Sequence, residues 1–214
     1  LKVDAVSCSP LAILTEVESL VRVRAEEKCL SFEVSAKGAI PESVKTDPTR
    51  LREILINLID NAIKFTEVGS VQVALSLVTS DRPQLRFDIT DTGIGMNTAQ
   101  IETLFEPFTQ GDSSTTREFG GTGLGLTISR RLARMLGGDI MVASEPGSGS
   151  TLSLVIDTGS LDGIRLLTEF EPPPLTAGHT LDVSSPPSLS CHILLAEDYP
   201  DIQRPVTYVL ERAG

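Results

Sequence analysis

Residues 85–96 read Leu-Arg-Phe-Asp-Ile-Thr-Asp-Thr-Gly-Ile-Gly-Met. Leu85, Phe87 and Ile89 alternate with polar neighbours, the period of a strand with one buried face. The strand runs directly into Asp91-Thr-Gly-Ile-Gly95. Closely spaced glycines after an apolar run often cradle phosphate, yet this loop opens on a carboxylate, which repels it. Upstream, Val71, Val73, Leu75 and Leu77 alternate in the same way, and Asp81-Arg82-Pro83 supplies the turn between them. Residues 71–89 therefore read as a β-hairpin. A doubly wound parallel sheet would need strict alternation of strands and helices, which this hairpin breaks.

Before the hairpin, Asp47-Pro48 pairs a capping carboxylate with a proline in the first turn and predicts a helix to about Phe65. Ser9-Pro10 starts an earlier helix, carrying Leu11, Leu14, Val17, Val21 and Ala25 at helical spacing. Leu30, Phe32, Val34 and Ala36 then alternate as a strand. After the hairpin, residues 91–121 are glycine-rich and polar. A third helix covers about Thr122 to Leu136 and stops at Gly137-Gly138. Ile140–Val142 and Leu152-Leu154-Ile156 form a second hairpin across Pro146-Gly147-Ser148-Gly149. The fold class expected is α/β (α+β): a two-layer sandwich with a mixed, largely antiparallel sheet and three helices on one face.

Size and composition agree with one such domain plus a remainder. The chain has 214 residues, 40% hydrophobic and 22% charged, the profile of a globular protein. A domain of about 150 residues buries roughly 68–70% of its unfolded surface and needs no covalent staples. The net charge of −11 argues against a nucleic-acid partner or an anionic membrane surface. Arg130, Arg131 and Arg134 are the only dense basic stretch and read as a solvated helix face. Cys8, Cys29 and Cys191 are odd in number and lack CxxC spacing, which predicts reduced thiols in a reducing compartment. No stretch reaches the ~20 apolar residues of a membrane span. The chain begins at Leu1 and stops mid-pattern, as a piece of something longer would. From 159 to 190 it turns rich in Pro, Ser, Thr and Gly and reads as a linker, with a short edge strand possible within 163–167.

The chemistry concentrates in four places. Asn57, Asn61 and Lys64 stand at i, i+4 and i+7 on one stripe of the second helix, beside the apolar arc of Leu51, Ile54, Leu55, Leu58, Ile59, Ala62 and Phe65. Mid-helix asparagines cost stability, so a bland polar edge is the poorer explanation. Amide oxygens suit a hard cation that also holds phosphate oxygens, and a lysine one turn later suits phosphate charge. Gly120-Gly-Thr-Gly-Leu-Gly-Leu126 opens the third helix, where backbone N–H groups and the helix dipole favour an anion. With phosphate assigned there, Asp91 is free to accept a hydrogen bond from an exocyclic amine such as that of adenine, while Gly93 and Gly95 let a flat base approach the backbone. Taken alone, the Asp91 loop also fits an ordinary Asx turn. Leu104-Phe-Glu-Pro-Phe108 and the polar stretch after it read as an apolar anchor before a lid, a pattern that a merely disordered loop also gives.

Together these segments resemble one family. Asn57–Thr66 (NLIDNAIKFT) resembles the N box of sensor histidine kinases, Asp91–Met96 their first glycine box, Leu104–Asp112 (LFEPFTQGD) their F box, and Gly120–Leu126 their second glycine box. Glu145–Thr151 resembles the closing glycine turn. The resemblance covers about residues 1–157. It implies the ATP-binding catalytic domain of a sensor histidine kinase, in the gyrase, Hsp90, histidine kinase and MutL superfamily, with a Bergerat-type ATP-binding fold. It further implies that Asn61 binds Mg2+ with Asn57 nearby, that Lys64 meets phosphate and that Asp91 meets the adenine amine. By the same resemblance Gly93 and Gly95 shape the base pocket, Phe105 and Phe108 anchor the lid, and Gly121, Gly123 and Gly125 line the phosphates. Leu124 and Thr151 also count among its ATP-binding residues. ATP-hydrolysing relatives carry a glutamate where this chain has Asn57. An amide cannot take a proton from water, which favours transfer over hydrolysis.

Ile193–Pro200 resembles the start of a response-regulator receiver domain, in which Glu197 and Asp198 would help hold Mg2+. The expected domains are therefore 1–158 for the catalytic domain, 159–190 for the linker and 191–214 for a truncated receiver, the order of a hybrid histidine kinase. His179 and His192 lack the helical context of a phosphoacceptor. The family's phosphoacceptor lies on an upstream dimerisation hairpin, so the expected partners are that domain and the receiver. The expected activity is transfer of the γ-phosphate of Mg-ATP to a histidine on the separate domain. A nucleotide-binding module without turnover and a gyrase- or MutL-type ATPase are the alternatives. The fragment is expected to be a cytoplasmic monomer with no direct membrane contact, whether or not its parent is membrane-anchored.

Overall fold

The structure, a computed structural model, describes residues 3–79, 82–107 and 124–168. Phe108, Gly121, Gly123, Cys191, both histidines, Glu197, Asp198 and most of the expected linker lie outside the described residues.

Strand β1 (Val6–Cys8) leads into helix α1 (Pro10–Glu27). Ser9 caps α1: its Oγ accepts the Ala12 N–H at 3.3 Å, with Pro10 in the first turn. Strands β2 (Ser31–Lys37), β3 (Ile40–Pro41) and β4 (Val44–Thr46) follow. Helix α2 (Pro48–Phe65) starts at Asp47, whose Oδ1 accepts the N–H groups of Thr49 and Arg50, both at 3.1 Å. At the far end of α2, Lys28 Nζ donates to the carbonyls of Ile63 and Lys64, both at 2.9 Å, and of Thr66 at 3.3 Å. A cation there satisfies exposed carbonyls and complements the helix dipole.

The expected hairpin is β5 (Ser70–Val78) and β6 (Gln84–Asp91). After α3 (Thr98–Thr103) and α4 (Gly125–Met135) come β7 (Asp139–Glu145) and β8 (Gly149–Asp157). The main sheet has five strands in the order β2-β5-β6-β8-β7. Only β2 and β5 run parallel; every other neighbour is antiparallel. Register puts Val73, Ile89, Leu152 and Val142 in one row across β5, β6, β8 and β7. These residues pack with Leu55, Leu58, Ile59 and Ala62 of α2 and with buried residues of α1 and α4 in a single core. The other face of the sheet is polar: Asp88 Oδ1 accepts from Arg86 Nε at 2.7 Å and from Ser153 Oγ at 2.6 Å. A two-layer, mostly antiparallel α+β fold is thus established.

Several elements differ from expectation. Helix α3 adds a fourth, short helix inside a stretch read as loop; it buries no residue and is held by an Asn97–Gln100 capping box. Helix α4 is seen from Gly125 rather than Thr122. Residues 159–168 lie against the domain. Strand β9 (Leu166–Leu167) pairs antiparallel with β3, and the Glu42 N–H donates to the Arg165 carbonyl at 2.8 Å. The edge strand read within 163–167 therefore exists, in a small sheet separate from the main one. Strand β4 pairs with β1, completing a second small sheet. Among the described residues no helix is long and apolar enough to cross a membrane. Cys8 and Cys29 are free thiols.

Candidate functional site

Asp91 ends β6 and is only 6% exposed. Its Oδ1 accepts the Gly93 N–H at 2.9 Å. Burial pushes its carboxyl pKa above the ordinary value, and the N–H groups of Gly93 and Ser150 only partly offset this. Among the described residues no cation pairs with it. Main chain holds the loop that follows. A Cβ on Gly93 would lie 2.3 Å from the Phe65 carbonyl at the end of α2, and the Ile94 N–H donates to the same oxygen at 3.3 Å. Gly95, at φ +65°, and Gly149, at φ +91°, lie in the left-handed region. A Cβ on either would sit 2.0 Å from a backbone oxygen, that of Glu145 for Gly95 and that of Asp91 for Gly149. The Gly147 N–H donates to the Ile94 carbonyl at 2.8 Å, and the Met96 N–H to Ser144 Oγ at 2.8 Å. The first glycine loop and the 145–149 turn, far apart in sequence, therefore form one corner. An open cleft of about 320 Å3 there is lined by Thr90, Asp91, Glu145 and Thr151 among others. Thr151 Oγ1 lies 3.1 Å from Thr90 Oγ1; the residue opposite Asp91 in the ladder is Ser150.

The stripe on α2 meets α4. Asn57 Nδ2 donates to Ser129 Oγ at 2.8 Å, and a Cβ on Gly125 would lie 2.6 Å from Asn57 Oδ1. Asn61, one turn on, is half-buried, and its side chain makes no hydrogen bond among the described residues. Lys64 Nζ lies 5.1 Å from the centroid of the Phe65 ring. Leu124, preceding α4, gives the helix no side-chain cap, and a helix N-terminus favours an anion. Among the described residues there is no cluster of acids, histidines and cysteines that could hold a metal. Neutral amide oxygens beside an uncapped helix start fit a hard cation that brings anionic oxygens with it.

Phe105 is fixed from α4. Its carbonyl accepts from Thr127 Oγ1 at 3.1 Å, and the Arg130 guanidinium stacks 4.4 Å from its ring centroid. Arg130 also grips Asp139 through Nε at 2.8 Å and Nη2 at 3.2 Å, and Arg134 Nη2 adds a contact at 3.2 Å. Burial alone would raise the Asp139 pKa. Arg130, the Ile140 N–H and Arg134 overcome that and hold the carboxyl at about 2. Arg131 and Arg134 lie on the solvated face read from the arginines, and the surface pairing of Arg130 and Arg134 with Asp139 across the turn at Gly137-Gly138 adds to that reading. The structure thus brings Asp91, Gly93 and Gly95 together at one end of α2, and Asn57 with Gly125 at its middle. Thr127, Ser129, Ser144 and Ser150 were not singled out from sequence. Ser129 had a visible signal: a hydroxyl in register with Leu132, Ala133 and Leu136 on the apolar arc of its helix.

Residues 46–160 match the family described as histidine kinase-, DNA gyrase B-, and HSP90-like ATPase. The autoinducer 2 sensor kinase/phosphatase LuxQ of Vibrio vulnificus (strain YJ016) is 40% identical over 164 residues, covering 74% of this chain and 19% of LuxQ. The aerobic respiration control sensor protein ArcB of Escherichia coli (strain K12) is 42% identical over 151 residues, 70% of this chain and 19% of ArcB. The chain thus spans about a fifth of the length of these relatives. Full-length ShkA, solved in complex with AMPPNP, aligns with a TM-score of 0.63 at 29% identity, covering 79% of this chain and 33% of ShkA. The catalytic domain of histidine kinase ThkA shares the fold, with a TM-score of 0.61 at 24% identity over 72% of this chain and 96% of that domain. With the family match spanning more than half its length, the chain belongs to the histidine kinase-, DNA gyrase B- and HSP90-like ATPases, in the branch of sensor histidine kinases.

Proposed function

We propose that this chain binds Mg-ATP and presents its γ-phosphate to a histidine carried on a separate dimerisation domain. One observation carries this. Both glycine segments seat on the same helix, Gly93 against Phe65 and Gly125 against Asn57. Those seats are about 12 Å apart along α2, at ~1.5 Å per residue. A nucleoside triphosphate bridges such a span from base to phosphates.

In this reading Asp91 accepts the adenine amine, and Gly93 and Gly95 give the ring its floor. Asn61 and Asn57 hold Mg2+, which would neutralise phosphate charge during transfer. Lys64 and the first N–H groups of α4, with Leu124 and Gly125, draw in phosphate oxygens. Phe105 anchors the segment leading to Phe108, Gly121 and Gly123, and Thr151 closes the base side. The protein positions and neutralises; the nucleophile comes from outside. Asn57 cannot act as a base toward water, which separates this chain from its hydrolytic relatives. The same reading gives the domain order as catalytic domain to 158, linker to 190 and receiver start from 191, with Glu197 and Asp198 as receiver acids. The partners are then the phosphoacceptor hairpin and a receiver, on the cytoplasmic side, with a monomeric fragment.

The test supplies a matching hairpin with its histidine and ATP labelled at the γ-phosphate. Label on histidine is the expected result. Free phosphate without labelled protein would support an ATPase, and bound, unchanged ATP a passive module.

A further inference from the structure

Ser129 is 2% exposed and shares the buried side of α4 with Leu132 and Ala133. A hydroxyl in such a place costs stability unless it is hydrogen-bonded. Its partner comes from another helix: Asn57 Nδ2 at 2.8 Å. A carboxamide presents a donor end and an acceptor end of nearly equal size, and the two differ only by rotation about the last side-chain bond. The contact with Ser129 occupies the donor end. The acceptor end, Oδ1, then packs against Gly125, where a Cβ would intrude to 2.6 Å.

We infer that Ser129 is a positioning residue: it holds the Asn57 carboxamide against α4, with the amide oxygen beside Gly125 and turned toward the metal–phosphate end of the site. The inference rests on the function proposed above, in which that end receives Mg2+ and phosphate. The opposite rotamer would aim two donors at a cation. Ser129 itself touches neither group.

The experiment uses the full chain in two measurements. The first is made without nucleotide. Side-chain amide protons of Asn57, identified by their loss in Asn57→Ala, are followed by 15N NMR. One proton is expected to exchange slowly in the unaltered chain and at the rate of a free amide in Ser129→Ala, with the backbone spectrum preserved. The second is calorimetric titration with ATP, in Mg2+ and in EDTA. Ser129→Ala is expected to lose about five- to tenfold in affinity with Mg2+ and less than twofold without it. It should cost nothing further in the Asn57→Ala background.

An Asn57 amide that exchanges freely in the unaltered chain overturns the inference. So do equal losses with and without Mg2+, or additivity with Asn57→Ala, while nucleotide binding itself persists. An unaltered chain that binds no nucleotide removes the proposed function and this inference together; persistence of binding tells the two failures apart.

Discussion

The end and the middle of α2 are built differently. At its C-terminal end, the corner around Asp91 is made of main chain: loop and turn interlock through N–H and carbonyl groups, at approaches that leave no room for a Cβ. At its middle, α2 meets α4 through side chains, the Asn57 amide on the Ser129 hydroxyl, and α4 in turn holds Phe105 by a hydroxyl on its carbonyl and a guanidinium on its ring. A main-chain corner tolerates almost no substitution and fixes one shape. A side-chain seam can be weakened in small steps and can slip without unfolding the domain. In the function proposed above, the first would suit a base that must be recognised the same way each time, and the second phosphates, where metal and acceptor come and go.

Substitutions should expose that contrast, the largest effect first. Gly149→Val places a side chain 2.0 Å from the Asp91 carbonyl at a left-handed φ. It should lower stability by about 3 kcal/mol or more in urea unfolding; a loss below about 1 kcal/mol would show that the corner yields. Asp91→Asn should weaken ATP binding about tenfold or more, through loss of a charged hydrogen bond. Unchanged affinity in a calorimetric titration would remove its base-reading role. On the softer side, Arg130→Ala removes a ring stack and a half-exposed ion pair. About 1 kcal/mol of stability should go, lowering Tm by roughly 2–4 °C. A drop as large as that of Gly149→Val would erase the distinction between the two regions.

The smallest effect is a pH dependence. The folded pKa of Asp139 lies at about 2, below its unfolded value, so its stabilisation is present above the unfolded pKa and fades as pH falls toward 2. Its side chain is 38% exposed, so solvent screening keeps the contribution under about 1 kcal/mol. Acid unfolding of Asp139→Asn, compared with the parent between about pH 4 and pH 2, should converge at the acid end.

Much of this was legible in the sequence, and the exceptions have physical causes. Strict alternation over 71–77 and 85–89 marked β5 and β6, because one face of each is buried. The cap at Asp47 and the arc from Leu51 marked α2 to its last residue. Strands β1, β3 and β4 are two or three residues long. No period can show over such a length, and they exist only because partners distant in sequence pair with them. Helix α3 buries nothing and so leaves no apolar stripe; its signal was the Asn97 and Gln100 capping pair inside a stretch dominated by glycine. At the site, the residue types of the α2 stripe stood out in the sequence. The groups that hold them did not. Ser129 meets Asn57 across 72 positions. Arg130 and Arg134 reach Asp139 around a turn, at separations that no helix spacing anticipates.

The lysine at the end of α1 carries a mechanical consequence. Lys28 is bonded to the last carbonyls of α2, and the next oxygen along, that of Phe65, is the seat of the first glycine loop. If the proposed function holds, one ammonium group ties the end of α1 to the floor of the base pocket, and a shift of α1 would reach the nucleotide over a short lever.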